Sequence, residues 1–328
     1  MAKNCTKKIT SIGGSALIEG IMMRGPKRTT VCVRTGENEI YSEDISITTI
    51  PQKCKLFKLP ILRGIAGMID SMRLSYKSLM LSADKAIEAG EIEEEEPSKF
   101  EKWLDEKFGD KLVKILMVFA SIIGVAIAVG LFFFLPSLLF DLSANIVPVF
   151  KGEGELAVFW KSVFEGVLKI VLFLAYIVLC SQMSEMKRVF MYHGAEHKTI
   201  FCYENDEELT VENVKKQTRF HPRCGTSFMV LMLIVGILIG LFIPVAPFGI
   251  GFLRPVFKIL LLPLTCGIGY ELIKICGKHD NIITRIIAAP GIWAQRITTK
   301  EPDDKMIEVA IEAIKAVIPE DGSDIVTK

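Results

Sequence analysis

Two histidines four residues apart, with a glutamate beside the second, stand out in a chain that has four histidines among its 328 residues. The stretch runs Tyr192-His193-Gly194-Ala195-Glu196-His197-Lys198. On a helix this spacing puts both imidazoles on one face, one turn apart. Two such rings can grip one metal ion, and the carboxylate between them can take a proton from a water held there. The order is H-x-x-E-H, the reverse of the commoner H-E-x-x-H. Further along, His221 and Cys224 form an H-x-x-C pair, with Arg219 and Arg223 close by. Histidine and cysteine are the usual zinc ligands, and a carboxylate such as Glu271 often completes a set.

These residue types point to a divalent metal, zinc by ligand chemistry, with iron or manganese as alternatives. His193 and His197 are the first two expected ligands, and His221, Cys224 or Glu271 supplies the third. Glu196 is then the expected general base. Arg219 and Arg223 offer planar forks for an anionic substrate or for developing negative charge. A closed set of His193, His197, His221 and Cys224 makes the metal structural instead, because no position remains for water. Each residue alone also has a plainer role: a packed thiol at Cys224, a hydrogen-bonded loop histidine at His221, an ion pair with Lys274 at Glu271.

Something must bring these distant residues together, and composition says what kind of scaffold it is. Half of the residues are hydrophobic, and the mean hydropathy is +0.39, a value that points to a membrane protein. The net charge of +1 gives no sign of bulk nucleic-acid binding. Eight cysteines are scattered without a C-x-x-C pair, so reduced thiols facing a cytosol are expected. The basic start MAKNCTKKIT has no apolar stretch behind it and does not read as a signal peptide.

Four apolar runs, at about 112–135, 163–183, 226–244 and 255–276, each approach the roughly 20 residues that cross a bilayer. Prolines at 136, 244 and 255 are read as their ends. Lysine and arginine gather before the first run, in 184–225 and after 276, so the positive-inside rule places both termini and the 184–225 loop in the cytoplasm. This topology collects His193, His197, His221, Cys224, Glu271 and the fourth histidine, His279, at one membrane level. The expected fold is an α-helical polytopic membrane protein with about four transmembrane helices and a small strand-rich N-terminal domain. In order, the parts are a strand-rich cytoplasmic domain (1–58), an amphipathic interfacial helix (60–82), an acidic linker and helix (84–110), spans 1 and 2 (112–183), the cytoplasmic loop with the metal motif (184–225), spans 3 and 4 (226–276) and a cytoplasmic tail (277–328). In the interfacial helix, Ile61, Ile65, Met68, Ile69, Met72, Tyr76 and Leu79 share one side, and Arg63, Asp70, Arg73 and Lys77 the other. The tail's MIEVAIEAIKAVI is read as a structural amphipathic helix.

The ordered segments GGSALIEGIMMRGP, LPILRGIAGMIDSM, YHGAEHKTIFCYE, HPRCGTSF and GYELIK resemble the YqhQ family of bacterial multi-pass membrane proteins. The resemblance covers about residues 10–300. It implies a domain of unknown function that is labelled a metal-dependent enzyme, with a metal at His193, His197, His221 and neighbours; it names no reaction. Glu19 and Arg24 fall inside its first segment, which gives them no role; the plain expectation is a buried ion pair that docks the N-terminal domain.

Three functions follow as expectations. The first is a membrane-embedded metal-dependent hydrolase in the cell membrane, acting at the cytoplasmic interface on a peptide or lipid-like substrate. The second is a non-enzymatic scaffold with a structural metal. A metal or ion transporter ranks last, because transport sites lie near the bilayer midplane and Lys169 and Glu271 are the charges read inside the spans. The lipid bilayer is the expected partner, and nucleic acid is not.

Overall fold

A computed structural model describes residues 8–90, 115–116, 118–151, 154–278 and 281–326. The linker expected at 84–110 lies mostly outside these residues, as does His279. The chain is mostly helical, with a small N-terminal sheet. It divides into two compact units, one of residues 1–92, 173–235 and 263–328, the other of 93–172 and 236–262.

The sheet belongs to the first unit. Its strands β1 (Gly13–Leu17), β2 (Gly20–Arg24), β3 (Thr29–Arg34) and β4 (Ile40–Asp44) form an antiparallel meander in the order 1-2-3-4. The turn expected around residues 35–38 joins β3 to β4, where Arg34 pairs with Ile40. The β1–β2 hairpin has no apolar alternation to announce it, and the reason is double-sided burial. Ile21, Met23 and Cys32 point into one apolar core; Leu17, Met22, Val31 and Val33 point into another. A strand covered on both faces reads as a continuous apolar run.

Helix α1 (Leu62–Glu88) covers one face of the sheet through Leu74 and Ser78, whose hydroxyl lies 3.1 Å from the Met22 sulfur. Its buried positions are Gly64, Ala66, Asp70, Leu74, Ser78, Ser82 and Ala86. Much of the apolar stripe expected on this helix faces outward, with Met72 and Tyr76 about two-thirds exposed. The small and polar residues face the protein, where a close approach is needed: a Cβ on Gly64 would lie 2.7 Å from the Tyr270 side chain. Asp70, expected on the polar side, is buried and accepts from the Ile50 amide at 2.8 Å.

The two remaining apolar runs of the described N-terminal half form α2 (Val118–Ser143) and α3 (Gly154–Cys180), both long and apolar enough to cross a membrane. Pro136 does not end α2. A π-turn over Gly130–Phe134 precedes it and loosens the backbone where the proline ring would otherwise meet a carbonyl. After α3 come α4 (Ser184–Glu204), α5 (Val211–Lys216) and α6 (Gly225–Gly240). The expected third span is only this 16-residue helix, about 24 Å long against roughly 30 Å of hydrocarbon. The expected fourth is interrupted at Leu261, giving α7 (Leu253–Leu260) and α8 (Leu262–Lys278). Pro263 explains the break, since it lacks the N–H that would bond the Ile259 carbonyl of the preceding turn and its ring crowds that carbonyl. Among the described residues, then, two helices are built to span, or three if the broken pair counts as one. They are compatible with a membrane protein.

The chain closes with α9 (Ile282–Thr298) and α10 (Asp304–Val317). The tail helix is structural: Met306, Ile307, Ala310, Ile314 and Val317 share the core of Ile21, Met23, Tyr192 and Ala195. Ile12, Ile21, Met23 and Cys32, from the segment expected as a strand-rich domain, share a core with α4 and α10. The docking ion pair also differs from expectation. Glu19 bonds both nitrogens of a fork on Arg188 of α4, and Tyr192 donates to it at 3.3 Å. Arg24 is exposed. The β1–β2 turn sets this geometry, because Glu19 sits there in left-handed backbone (φ 48°) and its side chain turns toward α4.

Candidate metal centre

Helix α4 begins half-exposed and becomes buried from Tyr192 onward. It lies between the sheet, the 217–224 loop and the end of α9, and each neighbour fixes one functional side chain. The Thr298 carbonyl lies 2.8 Å from His193 Nδ1. The Arg219 carbonyl lies 2.6 Å from His197 Nδ1. A carbonyl only accepts, so each Nδ1 carries a proton and each Nε2 is the nitrogen left to bind a metal once it gives up any proton of its own. Backbone carbonyls orient metal-binding imidazoles in this way.

The Cys224 sulfur lies 3.2 Å from His193 Nε2. Ligand atoms of His193, His197 and Cys224 all fall within 4.8 Å of one another. Zinc bonded to nitrogen at about 2.0–2.1 Å and sulfur at about 2.3 Å holds tetrahedral N and S ligands roughly 3.5 Å apart, so the cluster needs little adjustment to take an ion. Cys224 sits just before α6 and accepts from the Thr226 amide at 3.4 Å, a helix start that favours a thiolate. Burial alone would raise this thiol, but His193 and His197 bring it well below its ordinary range. Burial likewise opposes charge on His193, yet the Cys224 sulfur, Glu196 and the Thr298 carbonyl push it up to about 9.

Glu196 lies on the same helix, 5% exposed. Burial raises its carboxyl above the usual range, while the two histidines pull it back. The Gly14 amide of β1 donates to it. Its Oε2 is buried with no partner. Gly14 must be glycine here, because a Cβ would lie 2.6 Å from the Met22 carbonyl and 3.0 Å from the Glu196 carboxyl carbon.

With this geometry in view, comparison with other proteins places the chain. The family described as "Protein of unknown function (DUF1385)" matches residues 59–320. An "Uncharacterized protein YqhQ" of Bacillus subtilis (strain 168) is 34% identical over 311 residues, covering 93% of this chain and 92% of the relative. The chain belongs to this family. Its description names neither a metal nor a reaction, so the enzyme label suggested by the resemblance finds no support there. No solved structure matches.

In this family member the other expected site residues have separate tasks. His221 is buried, and its Nδ1 accepts from the Arg223 amide at 3.3 Å. Its Nε2 lies 3.8 Å from Glu204 and 3.2 Å from the Arg223 guanidinium. Both nitrogens are thus committed, and the ring stands outside the three-residue cluster. Burial, helped by Arg223 and His197, lowers it to about 4 against the pull of Glu204. Glu271 is held by a fork from Arg63, with Nε at 2.6 Å, and stands outside the cluster as well. The two arginines expected to bind substrate are also engaged. Arg219 reaches Glu301 at 2.5 Å, and Arg223 pairs with Glu204.

Several contributors have little signature in the sequence. Gln295 is fully buried on α9 and holds the 221 loop by both ends of its amide, accepting from the His221 N–H at 2.7 Å and donating to the His221 carbonyl at 2.6 Å. A glutamine among apolar helix residues was the available hint. Gly194 is another. A Cβ there would lie 2.0 Å from the Lys300 carbonyl, and the Lys300 amide bonds the Phe190 carbonyl at 2.8 Å. The segment that carries the Thr298 carbonyl can cross α4 only because Gly194 has no side chain. Gly194→Ala is therefore expected to lower stability by about 1–3 kcal/mol, the usual range for overpacking, and to weaken metal binding as His193 loses its carbonyl. Thermal unfolding with and without added zinc measures both; equal stability and equal zinc response would remove Gly194 from this role.

Proposed function

We propose that this protein is a metal-dependent hydrolase that works at a membrane surface. The observation that carries the reading is the unpartnered oxygen of Glu196, buried beside three convergent ligand atoms. A buried carboxylate without a full set of partners lowers stability, and sites of reaction are where such a group is retained. When bound, zinc lowers the pKa of its water to about 7 and supplies the nucleophile. His193, His197 and Cys224 would hold the ion. Glu196 receives the proton at Oε2 and returns it to the leaving group.

The exposed apolar side of α1, including Ile69, Met72, Tyr76, Leu79 and Met80, supports the interfacial placement. On this reading α6 and the α7–α8 pair bring the number of spans in the cell membrane to four. The lysines and arginines of 184–225 support a cytoplasmic site and cytoplasmic termini. The substrate class is a peptide or a lipid-like ester that approaches along the bilayer.

A structural metal is the second reading, favoured by the burial of His197 and Cys224. The two differ in the fourth position. Cobalt-substituted protein in detergent is expected to show a thiolate-to-cobalt charge-transfer band that shifts when cyanide or a hydroxamate replaces water. A cobalt spectrum indifferent to both ligands would establish the structural reading and end the hydrolytic one.

A further inference from the structure

The second compact unit holds a buried charge cluster that hydropathy hid. On α3, Lys161 is fully buried and Glu165 is 2% exposed; on α7, Arg254 is fully buried and the Lys258 side chain is 9% exposed. Lys169 of α3, partly buried, and Asp141 of α2, half-exposed, stand at its edge. Four cations thus stand with two carboxylates in a unit built from apolar helices. Charges in such surroundings are costly unless paired, and those that persist mark functional sites by default.

The pairing is uneven. Arg254 spends its donors on the protein: the carbonyls of Gly240, Ile243 and Pro244, the Ser162 hydroxyl and Glu165. It therefore caps the carbonyl end of α6. Each lysine, by contrast, has three N–H donors. Among the described residues, Lys161 meets Asp141 at 2.5 Å and Lys258 meets Glu165 Oε2. Lys169 makes no close ion pair among the described residues; Glu165 acts on it at longer range, and its Nζ stands 4.5 Å from the centre of the Phe133 ring. Lys258 Nζ and the Ser162 hydroxyl come within 3.3 and 3.4 Å of the point a Gly240 Cβ would occupy, so α6 leaves this corner free of side chain. Glu165 Oε1, meanwhile, is buried with no donor.

The unmatched groups are thus an excess of ammonium donors and one carboxylate acceptor. We propose that they form a binding site for an acidic phosphate monoester. Its unprotonated oxygens accept from Lys169 and Lys258, and its P–OH donates to Glu165 Oε1. A carboxylate or a phosphodiester satisfies the lysines but has no proton for Glu165. The same chemistry occurs in the head group of phosphatidic acid and in free phosphate. This site is independent of the metal centre and of the hydrolase reading.

The test is thermal unfolding of the full-length protein as isolated, in detergent, followed by tryptophan fluorescence. Phosphatidic acid and inorganic phosphate are titrated separately, with phosphatidylmethanol, a donor-free phosphodiester, as the control. The melting temperature is expected to rise with phosphatidic acid and not with phosphatidylmethanol. A matching rise with inorganic phosphate assigns the site to the free ion; its absence assigns it to the lipid. Lys169→Gln removes the one cation whose loss orphans no carboxylate, and is expected to weaken the response at least about tenfold, the effect of one charge-assisted hydrogen bond. Lys169→Arg should retain it. No response to either phosphate, an equal response to phosphatidylmethanol, or an unchanged response in Lys169→Gln would each overturn the assignment.

Discussion

Protein purified without chelators is expected to carry about one zinc ion per chain, and His193→Ala/His197→Ala to carry none. The expectation rests on geometry rather than on the motif. Both rings are oriented through Nδ1 by the Thr298 and Arg219 carbonyls, and the Cys224 sulfur lies within reach of both. Removing both imidazoles leaves a lone thiolate. Because altering even a supporting hydrogen bond weakens metal sites by about 10–100-fold, losing two of three ligands exceeds what dialysis can hide. The informative comparison is His221→Ala. Its nitrogens face Arg223 and Glu204, so this variant should lose stability and keep its ion. Elemental analysis by mass spectrometry on the three proteins decides the matter. Metal retained in the double variant, or lost on His221→Ala alone, would show that the ligand set is wrong; a metal-free wild type would sink the centre altogether.

What the sequence revealed, and what it concealed, follows from the range of each signal. His193, Glu196 and His197 were legible because they lie within one helical turn or so, and helix geometry is local. Cys224 was legible as a candidate, but so were His221 and Glu271. Separating the three required knowing that Glu204 and Arg223 engage His221 and that Arg63, 208 residues away, engages Glu271. The amphipathic period of α1 was correct, but the polar-inward assignment of Asp70 was not foreseeable. Its partner, the Ile50 amide, exists only once the chain turns back. The apolar runs gave α2 and α3, whereas hydropathy averages passed over Lys161, Glu165, Arg254 and Lys258. Each is diluted by apolar neighbours, and their mutual pairing depends on tertiary structure. That cluster adds charges to the helices beyond Lys169 and Glu271, the two read inside the spans.

Glu196→Gln is expected to keep both fold and metal and to lose hydrolytic activity by roughly 10²–10⁴-fold, the usual contribution of a positioned general base. The substitution preserves shape and the acceptor that meets the Gly14 amide, so the packing of β1 on α4 survives. What it removes is the ability of the second oxygen to take a proton. That oxygen has no partner in the fold, and a group the fold does not satisfy is one the fold does not need. Stability supplies the independent readout. If Glu196 serves structure, Gln lowers the melting temperature; if it serves chemistry, the melting temperature holds or rises, as it does when a functional strain is relieved. Activity can be followed with chromogenic esters and fluorogenic peptides in mixed micelles, beside zinc content. Unchanged turnover would remove Glu196 as the base. Loss of the ion together with turnover would make it a support of the ligands, and the proton would then need another acceptor. Loss of turnover with zinc and stability intact is the combination that only a proton-transfer role produces.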